Sequence, residues 1–228
     1  MGKDKLQCKK ESTSYTDFYR RWMDSRVEND VRTAPTDVFT MEQSGKLQME
    51  FLQKMGLTEK STILDLGCGP LHLGRCLVPF LDKDCYTGID ISAKALEAGR
   101  HALGDLMKKK TPRLIQTKDL KLIELAGKRF DYIHAFSVVN HLQMNQAKEL
   151  FSNVPSIMHK KSRFFFTVRI HNKYEPTGNK PYTSFAYSMS DLKSLTSNAG
   201  LVLKSDTDGG YWKTTINRYD LLVMEVTK

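Results

Sequence analysis

The chain has 228 residues, 40% of them apolar and 27% charged, which are the proportions of a folded globular domain and exclude a disordered or fibrous chain. Its formal net charge is +9, yet the excess is spread thinly, with only Lys108-Lys109-Lys110 and Lys160-Lys161 as short runs. The first run ends a predicted helix and the second precedes a predicted strand, so both read as solvated lysines at element ends, and nucleic acid is not an expected partner.

No apolar run reaches the length of a membrane span. The start Met1-Gly2-Lys3-Asp4-Lys5-Leu6 has neither a signal-peptide core nor the Ser or Thr of a myristoylation motif, so a cytoplasmic protein without a membrane partner is expected. Cys8, Cys68, Cys76 and Cys85 show no Cys-x-x-Cys or Cys/His spacing, so neither disulfides nor a metal site is expected. Nothing in the composition sets an oligomeric state.

Residues 1–12 are polar and expected to be disordered. Tyr15, Phe18, Tyr19, Trp22 and Met23 then recur at helical spacing and predict an amphipathic helix with an aromatic face. Pro35 breaks the pattern. A second helix is predicted over 40–56, with Leu47, Phe51, Leu52 and Met55 as its apolar stripe and Gly56 as its stop. Strands and helices alternate from there: strand 61–66, helix 71–81, strand 85–90, helix 93–108, strand 113–117, strand 130–136, helix 144–158, strand 162–170, helix 190–199, strand 201–205 and strand 217–227. Such alternation predicts an α/β fold around a doubly wound, mostly parallel sheet of seven strands. The last two strands are joined through 206–217 without a helix, which makes them a hairpin and the final strand antiparallel. One domain is expected over 13–228, its helices at 13–57 forming a lid on a core at 58–228.

The chemistry is concentrated at two strand ends. Ile63-Leu64-Asp65-Leu66-Gly67-Cys68-Gly69-Pro70 reads as a buried strand entering a glycine turn, and Tyr86-Thr87-Gly88-Ile89-Asp90-Ile91-Ser92 as a second strand ending in a carboxylate. In a doubly wound sheet Asp90 falls beside the glycine turn, where it can hold a ribose diol. A dinucleotide fits poorly. His72 stands where its fingerprint needs a small residue, and Asp65 would face a pyrophosphate at a cost on the order of 4 kcal/mol at ~4 Å. S-adenosylmethionine, which carries a sulfonium and an ammonium, suits an acidic strand end.

Asp-x-Gly-x-Gly followed by the later Asp resembles the signature of class I S-adenosylmethionine-dependent methyltransferases, which have a Rossmann-like fold. The run Asp65 to Leu71 with Gly74-Arg75, and Tyr86-Thr87-Gly88-Ile89-Asp90-Ile91-Ser92, is similar to a largely bacterial, small-molecule branch of that family. The resemblance covers about residues 45–205 and includes Phe130-Asp131-Tyr132-Ile133, Ser137 to Leu142 and Tyr187-Ser188. It departs at His159-Lys160-Lys161-Ser162, where relatives carry a Pro-Gly-Gly turn, and at His72, where this branch often has arginine.

The resemblance implies S-adenosyl-L-methionine as cofactor, held by Asp65, Gly67, Cys68, Gly69, Asp90 and Ile91. The two glycines let the backbone pass close under the adenosyl group. Asp119 matches the position that bonds the adenine amino group, with Leu120 offering its backbone, although Asp119 also reads as a helix N-cap. Phe136 and Ser137 are expected to floor the cofactor site, Phe136 reading equally as core. Methyl transfer from a sulfonium is an in-line displacement that needs alignment and, beyond it, removal of one proton. His141 follows the fourth strand on the edge where the acceptor must sit and could take that proton; the bland alternative is a histidine bonded to a loop carbonyl.

Three segments outside the shared core are expected to close an acceptor pocket. They are the aromatic N-terminal helix (Tyr15, Tyr19, Trp22), the link from His171 to Tyr187 with Arg169 before it, and the loop Gly209-Gly210-Tyr211-Trp212. Each aromatic alone also reads as packing. The expected activity is transfer of a methyl group to oxygen or nitrogen of a small-molecule acceptor. An RNA or protein methyltransferase is the first alternative, and a non-catalytic cofactor-binding scaffold the second; the former lacks an appended nucleic-acid module, an Asn/Asp-Pro-Pro-Tyr motif and a Pro-Cys nucleophile, and the latter is disfavoured by the presence of Asp65 and Asp90.

Overall fold

A computed structural model describes residues 14–28, 41–177, 184–204 and 222–228. The expected disorder of 1–12, the break at Pro35, the Gly209–Trp212 loop with Tyr211, and the part of the last strand before 222 lie outside these residues.

Apolar strands form the centre. The sheet contains β1 (Ile63–Leu66), β2 (Tyr86–Asp90), β3 (Arg113–Gln116), β4 (Phe130–Ala135), β5 (Met158–Ile170), β6 (Glu175–Thr177), β7 (Ser184–Tyr187), β8 (Val202–Lys204) and β9 (Leu222–Thr227). β1 and β2 are buried along their whole length, as strands covered on both faces must be. The order runs β3-β2-β1-β4-β5, and all four of these pairings are parallel. β9 adds antiparallel to β5 through residues 163–168, and β8 pairs antiparallel with β9. This is the expected seven-stranded sheet with its antiparallel last strand.

Two strands are additional. Beyond Val168, β5 pairs parallel with β7 at Arg169 and Ile170, and β6 folds back antiparallel on β7. The link from 171 to 187, expected to help close the acceptor pocket, thus contributes at its described residues two short strands that extend the sheet at the carboxyl end of β5.

The helices are α1 (Tyr15–Glu28), α2 (Met41–Lys54), α3 (Gly74–Phe80), α4 (Ala93–Leu103), α5 (Leu106–Lys110), α6 (Met144–Asn153) and α7 (Met189–Asn198). Three begin or end differently from the periodic pattern, each for a local reason. α3 starts only at Gly74 because Leu71 holds a left-handed φ of 64°. The helix expected over 93–108 is cut at Gly104, whose φ of 49° caps α4. α6 gives way at Asn153 to a 3-10 turn over Val154–Ile157 that contains Pro155, and β5 then begins at Met158, four residues early.

One face of the sheet carries a core of Leu64, Ile133, Phe151, Phe164, Phe166, Leu192 and Met224. The other carries Phe51, Leu52, Leu77, Tyr86, Leu96 and Phe165. Phe51 packs edge-on to Phe165 with centroids 5.2 Å apart, and a side chain at Gly45 would strike the backbone carbonyl of His72. α2 thus packs into this core through Phe51 and Leu52.

Candidate active site

The strand order reverses at β1, between β2 and β4, and the carboxyl ends of these strands leave a crevice there. The turn after β1 is pinned to β2, since Gly67 and Cys68 both donate N–H to the Ile89 carbonyl at 2.8 and 3.1 Å. Gly67 and Gly69 have φ of 71° and 53°, which L side chains rarely adopt. They differ in what surrounds them. A Cβ on Gly67 would strike the Val138 side chain, whereas one on Gly69 meets nothing within 4 Å among the described residues. Gly67 is therefore required by the protein wall itself, whereas no described residue fills the space beside Gly69.

Asp90 is 6% exposed; its Oδ2 accepts N–H from Gly69 and its Oδ1 from Ser92, both at 2.8 Å. Burial raises its pKa, and these backbone bonds hold the rise back. Asp65 is 4% exposed and accepts the Tyr86 hydroxyl at 2.7 Å. Burial, with Asp90 nearby, pushes its pKa up to about 7. Among the described residues neither carboxylate has an ion-pair partner. Cys68 turns its sulfur inward, where it would lie 2.9 Å from a Cβ on Gly88, and burial keeps the thiol protonated. Only the backbone of Cys68 borders the turn. Ile91 gives its carbonyl to Gln116 at 3.1 Å.

Asp119 lies past β3 and accepts the Lys121 N–H at 3.0 Å, while its carbonyl takes the Thr117 hydroxyl at 2.7 Å. This local turn is not a helix cap, because the next helical turn begins only at Ile123 after Leu122 in a left-handed conformation. The Leu120 carbonyl is bonded by Asn153 at 3.2 Å. Phe136 lies nearly parallel to the His134 ring, 6.2 Å away. Ser137 has a φ of 54° and donates its N–H to the Thr167 hydroxyl at 2.7 Å.

α1 bridges the crevice. At one end Ser92 donates to Asp24 Oδ1 at 2.6 Å, beside the end of β2. At the other Tyr15 donates to the His141 carbonyl at 2.8 Å, and Gln146 of α6 donates to Thr16 at 3.0 Å. His141 stands in the 3-10 turn Val139–His141, its ring 5.4 Å from that of Tyr19 and 6.4 Å from that of Trp22. Arg26 covers Trp22 at 4.5 Å. Burial and the nearby Asp90 raise the pKa of Tyr19 well above that of a free phenol.

The expected pocket residues near β5 divide. Arg169 donates to Thr177 at 2.6 Å, and His171 bonds Glu175 at 2.8 Å, both within the β6 ribbon. Tyr187 is completely buried and donates to the Leu142 carbonyl at 2.6 Å, so it props the wall and does not line a cavity. Tyr174, Phe185 and Tyr15 continue that wall ring against ring.

The sequence reading missed Tyr86 and His134. Ile63 pairs with Tyr86 and Asp65 with His134, which sets both side chains on the face that carries Asp65. A histidine inside the apolar run of Phe130 to Phe136 was the legible signal for the second.

Residues 64–164 match the family model described as a methyltransferase domain. No curated protein matches the chain. Among solved structures, the fold is similar to magnesium protoporphyrin IX methyltransferase from Synechocystis PCC 6803 with bound S-adenosylmethionine, at 14% identity and a TM-score of 0.67, over 96% of this chain and 100% of that one. The DhpI complex with S-adenosylhomocysteine is likewise 14% identical, with a TM-score of 0.66 over 94% and 98% of the two chains. The glycopeptide N-methyltransferase MtfA is 16% identical, with a TM-score of 0.60 over 83% and 91%. Among the described residues no helix is long and apolar enough to cross a membrane.

Proposed function

For a chain that carries an S-adenosylmethionine-dependent methyltransferase domain of the class I, Rossmann-like fold, we propose transfer of the methyl group to an oxygen or nitrogen of a small-molecule acceptor. The observation that carries the small-molecule reading is α1. Its bonds to Ser92 on one side of β1 and to the His141 carbonyl on the other roof the crevice with Tyr15, Tyr19 and Trp22. A roof held at both ends suits an acceptor that is enclosed, and not a polymer lying across an open groove. The solved relatives named above include enzymes acting on a porphyrin and on a glycopeptide.

The residues present fit the cofactor. Among the described residues, nothing stands within 4 Å of a Cβ on Gly69, and the two buried carboxylates, Asp65 and Asp90, have no ion-pair partner. Asp65 and Gly69 border the site of the amino-acid end, and Asp90 and Ile91 that of the ribose. Asp119 and Leu120 stand at the adenine end, while Phe136 and Ser137 form the floor. When bound, the cofactor supplies an electrophilic methyl group on a positively charged sulfur. The chain's part is alignment, exclusion of water by the aromatic roof, and acceptance of one proton. We assign that proton to the ring of His141, which stands under Tyr19 and Trp22. Arg169 at the end of β5 and His171 just after it, bonded to Thr177 and Glu175 respectively, suit an acceptor with an anionic or polar handle.

The test is an acceptor screen with methyl-labelled cofactor against cell extract split into small-molecule, RNA and protein fractions. Label entering the small-molecule fraction supports the reading. Label entering only RNA or protein replaces it, and binding of cofactor without transfer to any fraction leaves a scaffold.

A further inference from the structure

We infer that His134 is a cofactor-binding residue whose Nδ1 lone pair, together with Asp65, receives the ammonium group at the amino-acid end of S-adenosylmethionine. The inference rests on the methyltransferase reading above and names a residue for it that neither the glycine-turn motif nor the strand-end carboxylates point to.

Placement comes first. The β1–β4 register sets His134 opposite Asp65, and the β4–β5 register sets it opposite Phe165. Paired residues of parallel strands project from the same face, so Asp65, His134 and Phe165 stand in one row, just below the turn that holds Gly67 and Gly69. The row above contains Phe136, whose ring lies almost parallel to that of His134.

The second observation is an unmet bond. His134 is 3% exposed, and its buried Nδ1 has no hydrogen-bond partner among the described residues. Buried polar atoms are nearly always paired, and one left open beside a cofactor site is explained by a ligand atom that completes it. The other two such side-chain atoms among the described residues are Arg26 Nε and Asn140 Oδ1. They stand on α1 and on the 3-10 turn after β4, which border the same crevice.

The chemistry selects the ammonium. Burial pushes the His134 pKa down to about 3, so the ring is neutral throughout the working range and, with its proton on Nε2, offers an acceptor at Nδ1. Asp65 is acceptor-only when ionised, and Tyr86 donates to its Oδ2. Two adjacent acceptors in an apolar surround fit a group with several N–H donors and a positive charge. They repel the cofactor's carboxylate.

Calorimetry with two ligands tests this. S-adenosylhomocysteine carries the ammonium, and 5′-methylthioadenosine is the same nucleoside thioether without the amino-acid end. His134→Leu should weaken S-adenosylhomocysteine about tenfold or more, as expected for a bond to a charged group, and change 5′-methylthioadenosine less than about twofold. His134→Asn, whose amide oxygen can occupy the place of Nδ1, should retain most of the affinity, and it carries the test should the leucine variant fail to fold. Equal loss for both ligands, no loss in the leucine variant, or an asparagine variant as weak as leucine would each overturn the inference. Wild-type protein that binds neither ligand would instead overturn the cofactor reading itself.

Discussion

Asp65 shows how a single side chain can be costly to the fold and useful to the site. Its pKa stands near 7 in the folded chain because burial disfavours the charged form and Asp90 adds to that, whereas an unfolded Asp titrates near ~4. The folded state therefore holds the extra proton between those values, and stability falls as pH rises from about 4 to about 7. Asp65→Asn keeps an acceptor for the Tyr86 hydroxyl and removes the charge. It should melt higher than wild type at pH 8, by about 2–4 °C for each kcal/mol relieved, and should bind S-adenosylhomocysteine more weakly. Equal melting temperatures at pH 8 would show that the buried carboxylate costs nothing. His141 is tested differently, because Tyr15 holds its backbone carbonyl and not its ring. His141→Gln leaves that bond intact and should slow turnover at least about a hundredfold with cofactor affinity unchanged, in keeping with loss of a general base. A variant that melts early yet turns over at the wild-type rate would make the ring a packing element between Tyr19 and Trp22.

At the scale of elements, α1 is held by hydrogen bonds at both ends and contributes Tyr15 to the edge of one core, whereas α2 buries Phe51 and Leu52 completely or nearly so. Removing residues 1–30 should therefore abolish acceptor turnover and leave a cooperative thermal transition, while a truncation that unfolds would place α1 in the core. Asp24→Ala is the milder version: it breaks the bond to Ser92 but leaves Ser92 to cap α4 through Ala95, so cofactor exchange should quicken in stopped-flow measurements with little change in melting. The division of labour between α1 and α2 was not legible in the sequence, since both show an apolar stripe at helical spacing, and only what each packs against tells them apart. The strand ends were legible because β1 and β2, buried along their whole length, each carry a carboxylate at or one residue before the last position, next to a glycine turn or a helix start. The β6–β7 ribbon was not, because a three-residue strand containing Pro176 carries too little pattern to be seen before its partner is known.

For the whole molecule, the net charge of +9 gains meaning only from where the cations lie. Lys108–Lys110 precede β3, Lys128 and Arg129 precede β4, and Lys160 and Lys161 fall near the start of β5. In a parallel sheet all these positions gather at the amino ends of the strands, while Asp65, Asp90 and the roof of α1 occupy the carboxyl ends. The composition, read as a total, invites a polyanionic partner; the topology puts the clustered lysines on the edge away from the crevice. An RNA gripped by that edge would not present a base to the cofactor, and a small acceptor entering beneath α1 would not feel more than a screened remnant of its field. Turnover of the acceptor found in the screen should therefore change less than about twofold between roughly 50 and 200 mM salt, whereas a substrate held through six to ten phosphates would lose about 10³–10⁵ in affinity over the same interval. A steep fall with salt would return the net charge to the centre of the mechanism and favour RNA as the acceptor.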